Sequence, residues 1–443
     1  MLETVKNAFK IKDIRSKLIF TLLMLIVVRL GCELPVPGVD RNYFASWFSQ
    51  QTGDAFSFMD AFTGGSFLKM SVFALNITPY ITSSIIMQLL TIAIPKLEEM
   101  QREGEDGRKK IASITRYVTV GLALMESSAM AIGFGRQGLL EEYNALNVIM
   151  VITALTAGSA FIMWIGERIT ENGVGNGISI VLTINIISRI PEDLRSLWNQ
   201  FVTPQFEAHK YGAGTIAIVI IAAVIVVTVI LTVILNGAER RIPVQYAKKV
   251  QGRKMVGGQS SHIPLKVNTG GVIPIIFASS ILQLPGVISS FFGKGGATAT
   301  GFQKFLYFLN SGNWFKKGAW VYSWGALFYV VLVVFFAYFY TSITFNPMEV
   351  AENMKKSGGF IPGTRPGKPT QDYLNKVLNY IVFIGAIGLI IVAIIPIIFN
   401  GLFGASVSFG GTSLIIIVGV ILETMKQIES QMLVRNYKGF LND

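Results

Sequence analysis

Charged residues are scarce in this chain of 443 residues: they make up 14% of it, while 51% of the residues are hydrophobic. Soluble proteins usually carry about a quarter charged residues, and a soluble fold of this length has too little interior to hide so much apolar surface. The shortage of charge therefore predicts a protein that is solvated by lipid. Basic residues exceed acidic ones, 38 against 26, which in a membrane protein is typical of cytoplasmic loops and not of nucleic-acid binding.

Cysteine and histidine are nearly absent. Cys32 is the only cysteine, which excludes a disulfide within the chain, and His209 and His262 are too few for a multi-histidine metal site. The sequence has no HExxH and no GxxxxGK[ST] motif, and Ser66 in the GGS at 64–66 lacks a basic partner that would activate it. We therefore predict no catalytic residue, no metal site and no cofactor, so that the energy for any movement comes from a partner.

Long apolar segments dominate what is present. Spans of about 17–25 mostly apolar residues are predicted at 17–34, 71–94, 111–134, 146–166, 175–190, 214–235, 271–292, 320–345, 374–399 and 411–428. Ten spans divide into two groups of five. Because five is an odd number, the second group enters the membrane in the opposite direction to the first, which permits an inverted repeat. We predict an all-α, polytopic membrane protein of ten transmembrane helices in two pseudo-symmetric inverted halves, although the halves share no convincing residue-level similarity.

The distribution of lysine and arginine predicts the orientation. With the N-terminus inside, 26 of the 38 basic residues fall on the inner side, so both termini are expected in the cytoplasm. The first apolar segment is expected to stay as a span, since no small-x-small cleavage pattern follows it. The predicted divisions are an N-terminal arm (1–16), an N-terminal half (17–190), an external loop (191–213), a C-terminal half (214–428) and a C-terminal tail (429–443).

The stretch from Phe73 to Pro95 is apolar enough for a span. Uncharged polar side chains nevertheless recur along its whole length, and it carries no charged residue. On a helix, Ile77, Ile81 and Ile85 form one apolar stripe, and most polar residues lie on the other side. Helix packing accounts for the serines and threonines. The amides of Asn76 and Gln88 fit better on a helix that faces water at one time and a neighbour at another.

Three further features leave alternatives open. Glu126, inside the third span, is either functional or a structural hydrogen-bonding group. The short apolar run at 56–70 is either a helix on the outer surface or a segment folded back among the spans. The inner loops 236–270 and 346–373 are long and basic, so they either orient the protein or bind a cytoplasmic partner; the prolines and glycines around Arg365 predict tight turns that present its guanidinium.

Seven ordered blocks resemble the SecY family, the large channel subunits of the Sec translocase. They are FTGGSFLKMSVFALNITPYITSSIIMQLL (62–90), EGEDGRKKI (103–111), WIGERITENGVGNGISI (164–180), ERRIPVQYAKKVQGRK (239–254), SSHIPLKVNTGGVIPIIFASSIL (260–282), TFNPMEVAENMKKSGGFIPGTRPGKPT (344–370) and FGGTSLIIIVGVILE (409–423). The blocks are spread along the chain from residue 62 to residue 423 and include polar loops, so shared hydrophobicity does not account for them. The pattern is closer to bacterial members of the family than to archaeal or eukaryotic ones.

The resemblance implies a protein-conducting channel in the bacterial cell membrane, with two halves hinged by the loop after the fifth span. It assigns a pore ring to Ile77, Ile81, Ile178, Leu182, Ile276 and Ile416. Leu182 stands where bacterial relatives often have isoleucine, which leaves the ring apolar. An apolar constriction tends to dewet and so resists ions, and flexible side chains can deform around a passing polypeptide.

The resemblance also implies a plug, a lateral gate and a docking surface. The segment at about 55–69 would be the plug, with Phe58, Phe62 and Phe67 as its apolar residues and Gly64 and Gly65 supplying backbone freedom. Thr82, Glu126 and Asn268 would form the polar cluster of the lateral gate. The docking surface would consist of Arg240, Arg241, Lys248, Lys249, Arg253, Lys254, Lys355, Lys356, Arg365 and Lys368.

The partners that the resemblance implies are the subunits SecE and SecG, the SecA ATPase, the ribosome with its nascent chain, signal sequences and membrane lipid. From the residues alone, a secondary transporter for a small solute is the alternative, because it shares inverted halves and broken segments. Such a transporter normally places several charges at the membrane midplane, and here Glu126 is almost alone. An intramembrane enzyme fits less well, since no predicted span contains a histidine.

Overall fold

The computed structural model describes most of the chain. The residues described are 2–41, 43–44, 46, 60, 63–136, 138, 140, 142–207, 211–246, 249–251, 254–256, 260–292, 301, 305, 308–309, 314–315, 320–403 and 411–439. A helix lies at each of the ten predicted spans, so the all-α membrane architecture is confirmed.

The helices of the first half are α1 (Leu2–Lys10), α2 (Lys12–Gly31), α3 (Thr78–Ala93), α4 (Pro95–Arg102), α5 (Glu105–Arg136), α6 (Ala145–Asn172), α7 (Gly177–Leu197) and α8 (Thr203–Glu207). Those of the second half are α9 (Tyr211–Gly237), α10 (Ile273–Phe292), α11 (Trp324–Thr344), α12 (Pro347–Lys356), α13 (Lys368–Phe403) and α14 (Gly411–Gly439). Among the described residues, five helical segments are long and apolar enough to cross a bilayer alone: 105–136, 145–172, 214–237, 320–356 and 368–399. The pair α3 and α4 makes a sixth candidate, although the chain bends by 100° between them.

Several predicted boundaries differ from the structure. Residues 71–77 of the second span form successive turns, and the helix begins only at Thr78, with Pro79 in its first turn. In the predicted external loop 191–213, α7 continues to Leu197 and is followed by a π-helical turn (Trp198–Val202) and α8. The reason is physical: the apolar length of a segment reflects the thickness of the bilayer, whereas a helix can continue through charged residues once it reaches water.

The long basic loop at 236–270 contains strands, which the all-α prediction omitted. Strands β1 (Glu239–Tyr246) and β4 (Ser260–Lys266) pair antiparallel, and β2 (Lys249–Gln251) pairs with β3 (Lys254–Val256) between them. β5 (Gly359–Phe360), from the other basic loop, pairs with the far edge of β1. In β1 the buried residues Ile242 and Val244 alternate with exposed ones, which is the period of a strand with one buried face.

The buried core consists of several hydrophobic clusters, of which two lie almost wholly on one side or the other of residue 207 in the sequence. One hydrophobic cluster, which includes Phe44, Phe67 and Leu155, is built from the first half alone. A second cluster is built around α9, α10, α11, α13 and α14, with Ile85 of α3 packed against its edge. A third cluster takes residues from both halves and lies where they meet.

Candidate functional site

All six predicted ring residues lie in the cluster that joins the halves. Ile77, Leu182 and Ile416 are buried in it, and Ile81, Ile178 and Ile276 are half-buried against it. They come from α3 and the residue before it, α7, α10 and α14. The structure therefore brings together side chains that are far apart in the sequence.

Local structure determines which side chains reach this cluster from the first half. Asn176 caps α7, its Oδ1 accepting hydrogen bonds from the backbone N–H groups of Ile178 at 3.2 Å and Ser179 at 3.4 Å. This cap begins the helix so that Ile178 and Leu182, four residues apart, share one face. Ile77 and Ile81 have the same spacing, and the N–H of Ile81 donates to the carbonyl of Ile77 at 3.0 Å.

The turns before α3 are fixed by close contact with α6. The Ser159 hydroxyl donates to the carbonyl of Asn76 at 3.1 Å, and Asn76 has a left-handed backbone with φ +51°. A Cβ on Gly158 would collide with the carbonyl of Val72. Glycine at 158 thus allows α6 to approach the backbone that carries Ile77.

The described part of the predicted plug is folded into the protein. Residues 63–67, 70 and 71 are buried, so a helix lying on the outer surface is wrong for this part. Phe67 packs edge-on against Phe44 and Phe134, with ring centroids 6.0 and 6.4 Å apart. Gly64 and Gly65 both have positive φ, +66° and +83°, as their predicted conformational role requires. Phe58 and Phe62 lie outside the described residues.

Polar contacts that the sequence analysis did not foresee hold this segment. Asp60 forms an ion pair with Arg189 of α7 at 2.6 Å. Arg29 of α2 donates from Nη1 to the carbonyl of Gly64 and to Oδ1 of Asn185, both at 3.4 Å. Arg29 was recognisable as a charge inside an apolar span, whereas nothing local in the sequence relates Asp60 to Arg189.

The three residues of the predicted gate cluster are not hydrogen-bonded to one another in the part of the chain that the structure describes. The Thr82 hydroxyl donates to the carbonyl of Thr78 at 3.1 Å, within its own helix. The side-chain amide of Asn268 donates to Oδ1 of Asn236 at 2.8 Å, within the second half. Glu126 is half-buried on α5. Besides Ile81 in the cluster that joins the halves, Ile85 of α3, one turn beyond Thr82, packs against the second half.

The predicted docking residues converge because the two basic loops form one surface. Pairing of β1 with β5 joins the loops, and Ile242 and Leu265 of the first loop share a buried cluster with Met354 of the second. The exposed basic residues of this platform are Arg240, Arg241, Lys355, Lys356, Arg365 and Lys368. Lys248 and Arg253 lie outside the described residues, and for Lys249 and Lys254 only the backbone, in β2 and β3, is described.

Arg365 sits at the tip of a tight turn, as the prolines and glycines predicted. The Thr364 N–H donates to the carbonyl of Ile361 at 3.0 Å, and Gly363 and Gly367 have φ of +84° and +104°. The Thr370 hydroxyl donates to the carbonyl of Arg365 at 2.8 Å. The backbone is therefore fixed while the guanidinium is exposed.

No group of three or more histidine, cysteine or acidic side chains that could hold a metal ion occurs among the described residues. Among the described residues, the candidate site is thus an apolar cluster that joins both parts of the chain, with a buried segment next to it and a platform of exposed basic residues elsewhere on the protein.

Comparison with known proteins is consistent with this geometry. The family model described as SecY matches residues 71–425. Protein translocase subunit SecY of Halalkalibacterium halodurans is 42% identical over 447 residues, and the alignment covers 100% of both chains.

Two solved structures share the fold at low identity. One comes from work on how the plug domain of the SecY protein stabilises the closed state of the translocation channel and maintains a membrane seal; it has a TM-score of 0.63 at 17% identity, over 94% of this chain and 92% of the other. The other is Sec61 in the canine ribosome-channel complex from the endoplasmic reticulum, with a TM-score of 0.61 at 16% identity and the same coverage.

Proposed function

The chain belongs to the SecY family, and we propose that its six clustered aliphatic residues are the pore ring of a protein-conducting channel. It is the channel subunit of a protein translocase, through which unfolded secretory polypeptides cross the membrane and from which membrane-protein helices leave sideways into lipid. The observation that carries the ring assignment is that residues from both halves meet in one cluster. The small-solute transporter is unsupported, because the full-length relatives are translocase subunits.

The moving parts follow from how the core is divided. Residues 17–190 and 214–428 act as the two halves, and the segment 191–213, largely helical, acts as the hinge between them. Residues 55–69 are the plug, whose described part is buried against α7. Thr82, Glu126 and Asn268 line the lateral gate. When the halves part, these residues face water or a signal sequence that is leaving for lipid.

The platform formed by the two basic loops is the docking site for the SecA ATPase and for the ribosome. RNA phosphate is attracted by exposed lysine and arginine in a salt-dependent manner, and Arg365 on its rigid turn offers a guanidinium. The chain itself is not an enzyme, and its movements are driven by these partners. SecE and SecG complete the complex in the bacterial cytoplasmic membrane, with both termini of this chain in the cytoplasm, as the positive residues indicate.

Site-specific crosslinking of a stalled secretory chain tests the pore. Cysteine is introduced as Ile77→Cys or Ile276→Cys in a Cys32→Ala background, and the translocating chain carries one cysteine placed to stop at the constriction. Both ring positions are expected to crosslink to it. Ile92→Cys is the matched control, because Ile92 lies on α3, is 50% exposed and is outside the cluster that holds the ring residues. Equal crosslinking at Ile92 and at the ring would overturn the assignment.

A further inference from the structure

Asp60 is fully buried and is the centre of the contacts that hold the plug segment in place. One carboxylate oxygen lies 2.6 Å from Nη1 of Arg189, and the other accepts the Leu68 N–H at 2.9 Å. The carbonyl of Asp60 accepts the Gly65 N–H at 3.1 Å. A single residue thus fixes the fold of the segment and ties it to α7.

A second cation contacts the same segment from a different helix. Arg29 of α2 reaches the carbonyl of Gly64, and it also reaches Asn185, one helical turn before Arg189 on α7. Near its start the segment is therefore held at two points four residues apart, one by a full ion pair and one by a charged hydrogen bond, while Lys69 at its end pairs with Glu33. Of the two contacts near the start, only the one between Asp60 and Arg189 pairs a charge on the plug segment with an opposite charge on a surrounding helix.

We propose that Asp60 and Arg189 are positioning residues that latch the plug in its closed place, an inference that rests on the proposed channel function. Taking an ion pair out of water has a desolvation cost that offsets much of the attraction. Burial raises the pKa of the Asp60 carboxyl, and Arg189 counteracts this only in part. When the plug leaves, both charged groups regain water, so the latch selects the closed geometry without preventing opening.

Because Asp60 and Arg189 have different surroundings, neutralising one is expected to have a different cost from neutralising the other. Arg189 also lies 3.1 Å from Glu192 and 3.9 Å from Asp193, and its side chain is 18% exposed. If Asp60 loses its charge, Arg189 keeps acidic neighbours. If Arg189 loses its charge, the Asp60 carboxylate stays buried without its cation, which is the costlier situation.

The test measures plug closure directly, with the assembled translocase in vesicles. In a Ser66→Cys background, the rate of disulfide formation with Cys32, which lies beside Ser66, reports how much of the time the plug is closed; resting ion conductance is the second readout. Arg189→Gln is expected to lower the rate and raise the conductance on the order of tenfold to a hundredfold. Asp60→Asn is expected to act in the same direction but less strongly.

Two controls separate a latch from a general loss of stability. Glu192→Gln removes a charge that contacts the same arginine from an exposed position, and it is expected to leave both readouts unchanged. Arg189→Lys keeps the cation and is expected to restore most of the closed fraction, while the double variant Asp60→Asn/Arg189→Gln is expected to be no worse than Arg189→Gln alone.

Unchanged crosslinking and conductance in Arg189→Gln would overturn the latch while leaving the channel function intact. Failure of the unsubstituted translocase to transport a secretory protein would instead overturn the proposed function. The two results are therefore distinguishable.

Discussion

Ile77, at the start of α3, and Ile416, on α14, are buried in the same hydrophobic cluster although they come from opposite halves of the chain. In this cluster the two halves therefore meet through apolar, mostly aliphatic side chains. Such a contact is favourable but non-directional, so it can be parted and reformed without a specific partner for each group. This is the property that a seal around a variable polypeptide requires.

Substitution of the half-buried ring residues tests the seal. Ile81→Ser combined with Ile276→Ser is expected to let ions leak through the resting channel, since a polar constriction stays wet. Both residues are only half-buried, so each costs less stability than the roughly 2–5 kcal/mol of a large deletion in a full core. Single-channel recording in planar bilayers measures the leak. Ile92→Ser, near the far end of the same helix and outside the cluster of ring residues, serves as the control, since Ile92 is 50% exposed. Equal conductance in the unsubstituted protein and both variants would refute the ring.

A disulfide between Cys32 and Ser66→Cys is expected to lock the channel. Cys32 is the only cysteine of the natural chain, and it lies next to Ser66. Oxidation is expected to block translocation of a secretory protein into vesicles almost completely, and dithiothreitol is expected to restore it. Ser66→Cys with Cys32→Ala cannot form the bond, and a block that persists in that protein would show that the effect is not due to plug locking.

Reversal of charge at the platform tip tests docking. Arg365→Glu is expected to reduce association with SecA or ribosomes roughly tenfold at low salt and to leave the fold intact, because the side chain is exposed. Arg365→Lys, which keeps the charge, is expected to retain most of the binding. The measurement is a binding titration at two salt concentrations. An effect of Arg365→Glu that is the same at both would argue against an electrostatic contact.

The close approach of α6 to the backbone before α3 predicts an intolerance to side chains. Gly158→Ala is expected to cost about 1–3 kcal/mol by overpacking, because its Cβ would meet the Val72 carbonyl, which belongs to the backbone and cannot move aside alone. Thermal unfolding in detergent measures the loss. Gly121→Ala is the matched control, since Gly121 is also helical but has open space around it; a similar loss in both variants would contradict the steric explanation.

Much of the architecture was predictable because the bilayer imposes a single strong rule. Apolar segments of membrane-spanning length must become helices that satisfy their own backbone hydrogen bonds, and a helix indeed lies at each of the ten predicted positions. The β-hairpin at 239–266 was missed because short strands in an exposed, charged loop have a weak periodic signal. Its alternation of buried and exposed residues became visible only once α12 and α13 covered one face, while β5 paired with the edge of β1.

Family motifs identified some of the site residues, whereas the contacts between residues distant in sequence were found only in the structure. The ring positions could be named from the sequence, but not the partnership of Asn268 with Asn236, which replaces the expected contact with Thr82 and Glu126 in the described structure. Asp60 and Arg189 were not singled out, since neither lies in a recognisable motif.

The sequence by itself determined that this is a membrane protein, where its apolar helices lie along the chain and where its basic loops lie, because hydropathy and charge act over short stretches of chain. Only the tertiary structure decided which aliphatic residues meet across the two halves, which face of the chain before α3 approaches Gly158, and which arginine neutralises Asp60. Those pairings join residues distant in sequence, and their free energy exists only after the helices have packed.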